Sequence, residues 1–510
     1  MLDKKLNGSF RDFYMCFLVV YMIVREVLPL QFLINNIFVS VFVFLVGFFL
    51  IVWDLFTDKN CLKCKPIDFF AVFIIICVIS SIINYRYGIG SNIKCIAAMV
   101  LEYFIFFPMG FKESKERTIK KLLNTLTITM FVFVFVSVLM YFFSIDYYAF
   151  SHIGSGDQGF DTTWGRLWGV FGDPNVASYI SLVSLFSSVY FMYVYKKVWA
   201  YILYGINVVF QMLFVMLSAS RSGLLIMVLA PIASALYLFL CNFKTSKKRA
   251  FVGILAVITA AAVLYGGYYG LKKTMPYVKA AVLDTVGVSG RKNVNSLYAA
   301  LYKAGGVEII NTDADNIDSE IEKIENIENI ENIDKIDPNI KAEIEEIVRK
   351  DTKEDYSNGR FERWKAGLAV FKTTPIIGTS PRNSVAIAQE RTPDTVMGQY
   401  GFVAHNAYLE VLVNSGILGA VAMFSAIIYI AVLFFKAALK NGFNLEVYLS
   451  FLCFLAVAAG AFFVSDVFFI FSISSLLFFY LLGYLYGYAK TEDNGILYKI
   501  FSSFIKVKSK

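Results

Sequence analysis

Apolar runs of about 20 residues recur along this whole chain, each long enough to cross a bilayer as a helix. In hydrocarbon the backbone must satisfy its N–H and C=O groups internally, so runs of this length fold as helices. A composition of 58% hydrophobic and 17% aromatic residues excludes a soluble protein of 510 residues. The expected fold class is an all-α polytopic membrane protein with about 12 transmembrane helices. Hydropathy places them near 12–30, 33–53, 67–84, 92–110, 122–144, 174–195, 198–217, 222–240, 251–271, 407–435, 446–465 and 467–488. The 50 Phe and 31 Tyr are spread through these spans, as lipid-facing or packing surface rather than a cofactor box.

The basic residues orient the spans. Lys4, Lys5 and Arg11 precede the first; Lys59, Lys63 and Lys65 follow the second. Lys244, Lys247, Lys248 and Arg249 follow the eighth, and Lys490, Lys499, Lys506, Lys508 and Lys510 the twelfth. The alternate short loops hold few: Arg25, Arg86, Arg166 and Arg221. Basic residues stay on the cytoplasmic side, so both termini are expected inside. No cleavable signal peptide is expected, because no small-residue cleavage site follows the first apolar run. The seven cysteines fall in spans or inner loops, which suggests no disulfide framework. Cys61 and Cys64 make a lone C-x-x-C pair, at most half of a zinc site.

The chain thus divides into spans one to nine (1–271), a large outer loop (272–405), three further spans (406–488) and a basic tail (489–510) on the inner leaflet. Within the loop, residues 311–356 are acidic and of low complexity, with isoleucines recurring every three residues. That period drifts around a helix of 3.6 residues per turn, so no stable apolar stripe forms and the insertion reads as solvated.

Three outer helix starts carry unusual residues: Gly165-Arg166 through Asp173-Pro174-Asn175, Ser218 through Gly223 around Arg221, and His405-Asn406-Ala407-Tyr408-Leu409-Glu410. Asp173 suits an N-cap and Pro174 the first helical position. A helix that starts at the outer boundary turns its free N–H groups and positive dipole end outward, which is anion-binding geometry. Arginine forks match phosphate oxygens better than ammonium groups do. A charge near mid-membrane costs about 2.5–3.5 kcal/mol, so Arg221, read as nearly buried in a short turn, needs a partner. Blander readings stand beside these. An arginine at a helix end commonly snorkels, Arg166 is equally placed to pair with Asp161 or Asp173, and a histidine at a helix start is commonly a cap. His152 lies in a Gly/Ser-rich loop and reads as surface.

The ordered set Arg166 to Asn175, Ser218 to Gly223, then Gly359, Arg360, Trp364, Pro375, Gly378, His405, Asn406, Tyr408, Leu409, Leu412 and Gly416 resembles the bacterial O-antigen ligase/O-antigen polymerase superfamily. Ser380-Pro381-Arg382 departs from it where a second small turn is common, and the 311–356 insertion is additional. The resemblance implies a membrane glycosyltransferase related to the GT-C class, in the bacterial cytoplasmic membrane. Its donor is a glycan on undecaprenyl pyrophosphate, and its acceptor a sugar hydroxyl on a second lipid-linked glycan (polymerase, the favoured reading) or on a lipid anchor (ligase). It implies no cofactor and no metal, no nucleic-acid partner, and room for a chain-length regulator. His405 is then the expected general base. Arg166, Arg221 and Arg360 are the expected pyrophosphate ligands, supported by Asp173, Asn175, Asn406, Tyr408 and Glu410, with Asn406 or Glu410 orienting the imidazole. Displacement opposite the leaving phosphate predicts inversion. A flippase for the same glycan is the competing class. It would need charged residues along a path through the bundle, and the spans offer mainly Lys94 and Glu102. A non-catalytic assembly factor is the third.

Overall fold

The computed structural model describes residues 2–31, 37–57, 60–111, 115–143, 145–151, 154–161, 166–242, 247–286, 292–293, 359–489 and 495–508. The 311–356 insertion, His152 and Gly165 lie outside them. The apolar runs fold as α1 (Leu2–Arg25), α2 (Ile37–Phe56), α3 (Pro66–Ile83), α4 (Gly90–Phe111), α5 (Lys115–Phe142), α6 (Pro174–Tyr195), α7 (Val198–Leu217), α8 (Arg221–Asn242) and α9 (Lys247–Val286). After the large loop come α10 (Arg360–Thr373), α11 (Ser384–Arg391), α12 (Val396–Tyr400), α13 (Ala407–Asn441), α14 (Leu445–Gly460), α15 (Ile473–Ala489) and α16 (Ile496–Lys508). Among the described residues nine helices are long and apolar enough to cross a membrane, α14 and α15 being shorter apolar helices. With α1 they account for every apolar segment of the sequence, and the chain is an all-α polytopic membrane protein.

α6 and α7 start and stop on the expected residues. Others do not. α9 runs on to Val286, past the expected 271, because Lys272, Lys273 and Lys279 lower hydropathy without lowering helix propensity. α15 begins at Ile473 instead of 467. Ser472 and Ser475 cap one another there, each backbone N–H donating to the other's hydroxyl at 3.1 Å. The segment between α5 and α6 also holds strands: β1 (Ile145–Ser151), β2 (Gly154–Asp161) and β3 (Arg166–Gly169). They join β4 (Lys292–Asn293) in a sheet of order β3-β2-β1-β4. β4 belongs to the large loop and pairs parallel with β1, so the two long connecting segments meet.

α15 is buried at almost every position. Two glycines let it lie against α4. A Cβ on Gly483 would sit 2.0 Å from the Phe107 carbonyl oxygen, and one on Gly110 2.0 Å from that of Tyr480. Backbone-to-backbone approach of this kind is how membrane helices associate without a hydrophobic driving force. Gly483→Ala is therefore expected to cost about 1–3 kcal/mol, read as a lower unfolding midpoint of the purified protein in detergent.

α13 is broken at Gly416 (φ 63°, ψ −169°). The segment Pro375–Ser380 supplies the missing hydrogen bonds. Ile417 and Leu418 N–H groups donate to the carbonyls of Pro375 (2.8 Å) and Ile376 (3.2 Å), and Thr379 and Ser380 N–H groups donate to those of Val413 (3.0 Å) and Asn414 (2.9 Å). Irregular backbone is tolerated at membrane depth when protein satisfies it this way. Gly378 (φ 71°) and Gly416 are required by both backbone conformation and space, since a Cβ on either would lie 2.4 Å from backbone atoms of the other segment. The loop's C-terminal end is thereby stitched to the helix that follows His405.

Candidate functional site

Arg166 opens β3 and ties three elements together. Its Nε donates to the Ser218 carbonyl at 2.7 Å, and Nη2 donates to Asn175 Oδ1 at 2.8 Å. Asn175 is itself fixed, because its backbone N–H and Nδ2 both donate to Asp173 Oδ1, at 2.7 and 3.0 Å. Asp173 is thus the N-cap of α6, with Pro174 following it. Ser220 Oγ donates to the same Asn175 oxygen at 3.2 Å. The starts of α6 and α8 are therefore one hydrogen-bonded unit built around Arg166. The turn between α7 and α8 passes through Ala219 in the left-handed region (φ 48°), a conformation that costs an L-residue energy and persists only where its surroundings impose it.

Arg221 is the first residue of α8 and is exposed, unlike the enclosed position expected for it. Placing it at the helix start outside the apolar run removes the insertion cost that burial would carry. Arg360 opens α10 and stacks over the Phe463 ring at 5.0 Å. Burial lowers its pKa first; Asp173 opposes this, while Arg221, Arg166 and Arg363 lower it further. These groups therefore share one electrostatic neighbourhood, in which the arginines repel one another.

His405 stands two residues before α13, half-buried and in a left-handed conformation (φ 47°). Its pKa is lowered to about 4, by burial first and then by Arg363, with Arg360 adding to the effect and Asp173 opposing it. The carboxylate acting on the imidazole is thus Asp173, reached from α6. The two groups expected to orient the ring do other things. Asn406 caps α13, its Oδ1 accepting from the Tyr408 and Leu409 N–H groups at 3.1 Å each. Glu410 is buried one turn on, beside Ser465. Tyr408 is a packing residue, its hydroxyl donating to the Ala458 carbonyl at 2.8 Å and its ring 4.5 Å from that of Phe462.

Arg363 and Asp466 join these groups, the first an arginine that the sequence already places shortly before His405. Arg363 lies one turn after Arg360, over the Phe402 ring at 4.5 Å. Asp466, in the loop between α14 and α15, accepts from the Tyr179 and Ser474 hydroxyls. Its pKa is raised to about 6, chiefly by burial, with Asp173 contributing. Asp173 thus acts electrostatically on Arg360, His405 and Asp466, and is linked to Arg166 through Asn175. Guanidinium groups sharing one neighbourhood suit an anionic ligand. Among the described residues no group of three or more His, Cys, Asp or Glu side chains could hold a metal ion.

Residues 206–424 match the family model for O-antigen ligase. That window contains Arg221, Arg360, Arg363 and His405 and stops within α13; Arg166, Asp173 and Asn175 precede it, and Asp466 follows it. No curated protein matches the chain.

Proposed function

We propose that the chain, whose residues 206–424 match the family model for O-antigen ligase, is a glycan-transferring member of the O-antigen ligase/polymerase superfamily and extends a polysaccharide by transfer from undecaprenyl pyrophosphate. The observation that supports this reading is that Asp173, Arg221, Arg166 and Arg363 all act electrostatically on Arg360, and Arg363, Asp173 and Arg360 on His405. A site whose own cations repel each other is completed by a polyanion, and a diphosphate is one. In the proposed step an acceptor hydroxyl oxygen attacks the anomeric carbon. The bond from that carbon to the pyrophosphate oxygen breaks, and its electron pair stays on the phosphate. The hydroxyl proton goes to the His405 imidazole and from there to water. Attack opposite the leaving group inverts the anomeric carbon. The arginines stabilise the departing charge without having to reorganise.

The reaction side is the outer face of the cytoplasmic membrane, with both chain termini inside; the distribution of lysines and arginines supports this orientation. The decisive experiment incubates the purified protein with the lipid-linked repeat unit alone. A ladder of chain lengths is expected. Product that appears only after a lipid-anchored acceptor is added would make the protein a ligase, and translocation without transfer would make it a flippase.

A further inference from the structure

Residues 461–472, between α14 and α15, are apolar enough to pass for helix, yet they run as turns. Such backbone persists among apolar helices where protein satisfies it, and here several elements do so. The first N–H of α13, that of Ala407, donates to the carbonyls of Ala461 (2.8 Å) and Val464 (3.0 Å). Cys95 Sγ on α4 donates to the Phe469 carbonyl at 3.1 Å, and Arg25 Nη1 at the end of α1 donates to that of Phe471 at 3.2 Å. Phe463 carries the ring over which Arg360 stacks. The turn therefore touches both the backbone two residues after His405 and the side chain of Arg360.

Asp466 pins this turn to α6. Its Oδ2 accepts from the hydroxyls of Tyr179 and Ser474, and its backbone carbonyl accepts from Ser472 Oγ. Tyr179 is fully buried, and its ring is seated against the end of α14, where a Cβ on Gly460 would lie 2.6 Å from it. The phenol is thus a fixed donor on the helix that Asp173 caps. A carboxylate that takes two hydroxyl donors makes hydrogen bonds of the strong, charge-assisted kind.

We propose that Asp466 is a positioning residue, which holds the 461–472 turn against α6 and through it sets His405 and Arg360 in place. His405 keeps a left-handed backbone (φ 47°), a conformation that persists only where its surroundings impose it. The Ala407 N–H bonds to the turn are one such constraint. The kinetic effect of Asp466 rests on the reading of His405 as the base; its geometric effect does not.

The chain has two histidines, His152 and His405, so histidine-labelled protein in detergent gives two imidazole titrations by NMR, assigned with His405→Asn. Asp466→Ala is expected to raise the His405 midpoint from about 4 toward 6.5, as a loosened turn lets water reach the ring. Loss of a carboxylate charge could only lower it, so a rise reports displacement. The same variant should lower kcat for transfer about 10²-fold, the scale of a misplaced group. Asp466→Asn keeps an oxygen for the Tyr179 and Ser474 hydroxyls and should restore most of both readouts. A His405 midpoint that stays or falls in Asp466→Ala overturns the proposal. So does Asp466→Asn behaving like Asp466→Ala, which would make the charge the essential feature. The titration needs no donor, so it decides the positioning claim even if His405→Asn leaves transfer intact and the base assignment falls. Should Asp466→Ala fail to fold, Tyr179→Phe removes one of the two hydroxyls; a smaller rise is expected, and no rise overturns the proposal.

Discussion

His405→Asn is expected to slow transfer at saturating donor by about 10²–10⁴-fold, the usual worth of a general base, while folded protein and donor binding persist. Asparagine is the instructive substitution because His405 sits at φ 47°. Asparagine tolerates that conformation, whereas alanine would add strain to the loss of the base. Single-turnover transfer with pre-bound donor measures the effect, and a rate near wild type would remove His405 from the chemistry. The pH profile gives a second reading. With its pKa lowered to about 4 by burial and by Arg363 and Arg360, the imidazole is neutral and ready to accept a proton at pH 7. The acid limb it contributes to kcat/KM, a property of the free protein, should lie well below 6.5. Once pyrophosphate offsets the arginine charge the imidazole becomes more basic, so the corresponding limb of kcat should lie at higher pH. Arg363→Ala should move the kcat/KM limb upward too.

Stability is a poorer probe of the same group, and the signs show why. A histidine whose folded pKa is lowered takes up its proton in the unfolded chain first, so stability falls as pH drops from about 6.5 toward 4. Asp466, raised from 3.8 to about 6, takes up its proton in the folded chain first, so stability rises over much of that window. The two contributions largely offset one another.

Much of this site was legible in the sequence because arginine, histidine and glycine stand out against apolar runs. The order Arg166, Arg221, Arg360, His405 could be read directly, and Asp173-Pro174 announced a capped helix that is found where expected. What could not be read depends on contacts between distant segments. Gly416 looks like a minor interruption in a span. Only its pairing with Pro375–Ser380 makes it a break whose hydrogen bonds come from the large loop. Asp466 sits in a sequence apolar enough to pass for the start of a helix, and its importance comes from Tyr179 on α6. Asn406 beside His405 suggested a ring partner, yet capping rules assign it locally to α13, and the carboxylate acting on the imidazole comes from a helix more than 200 residues earlier in the chain. The sheet was missed because β1 and β2 are short and lie in an otherwise helical protein, where periodicity gives little warning.

Arg166→Lys should be nearly as damaging as removing the base, although it keeps the charge. The guanidinium uses Nε toward the Ser218 carbonyl and Nη2 toward Asn175 Oδ1 at once. An ammonium group has no planar fork with which to hold two acceptors on different helix starts. The substitution therefore loosens the α6 and α8 starts relative to each other, and with them the arginines proposed to face the diphosphate. Loss of one preorganised donor at developing charge is worth about 10²–10³ in rate, and a fall of that order in kcat is expected for Arg166→Lys. Asn175→Ala, which removes the shared acceptor and leaves Arg166 in place, should reproduce most of it. Arg360→Lys should behave differently. It stacks on a ring among other charges, so lysine keeps the attraction to the donor and mainly raises KM. Steady-state kinetics of the three variants against lipid-linked donor separate these outcomes. A kcat for Arg166→Lys equal to wild type would mean that charge alone, without the tie between the two helix starts, serves the reaction.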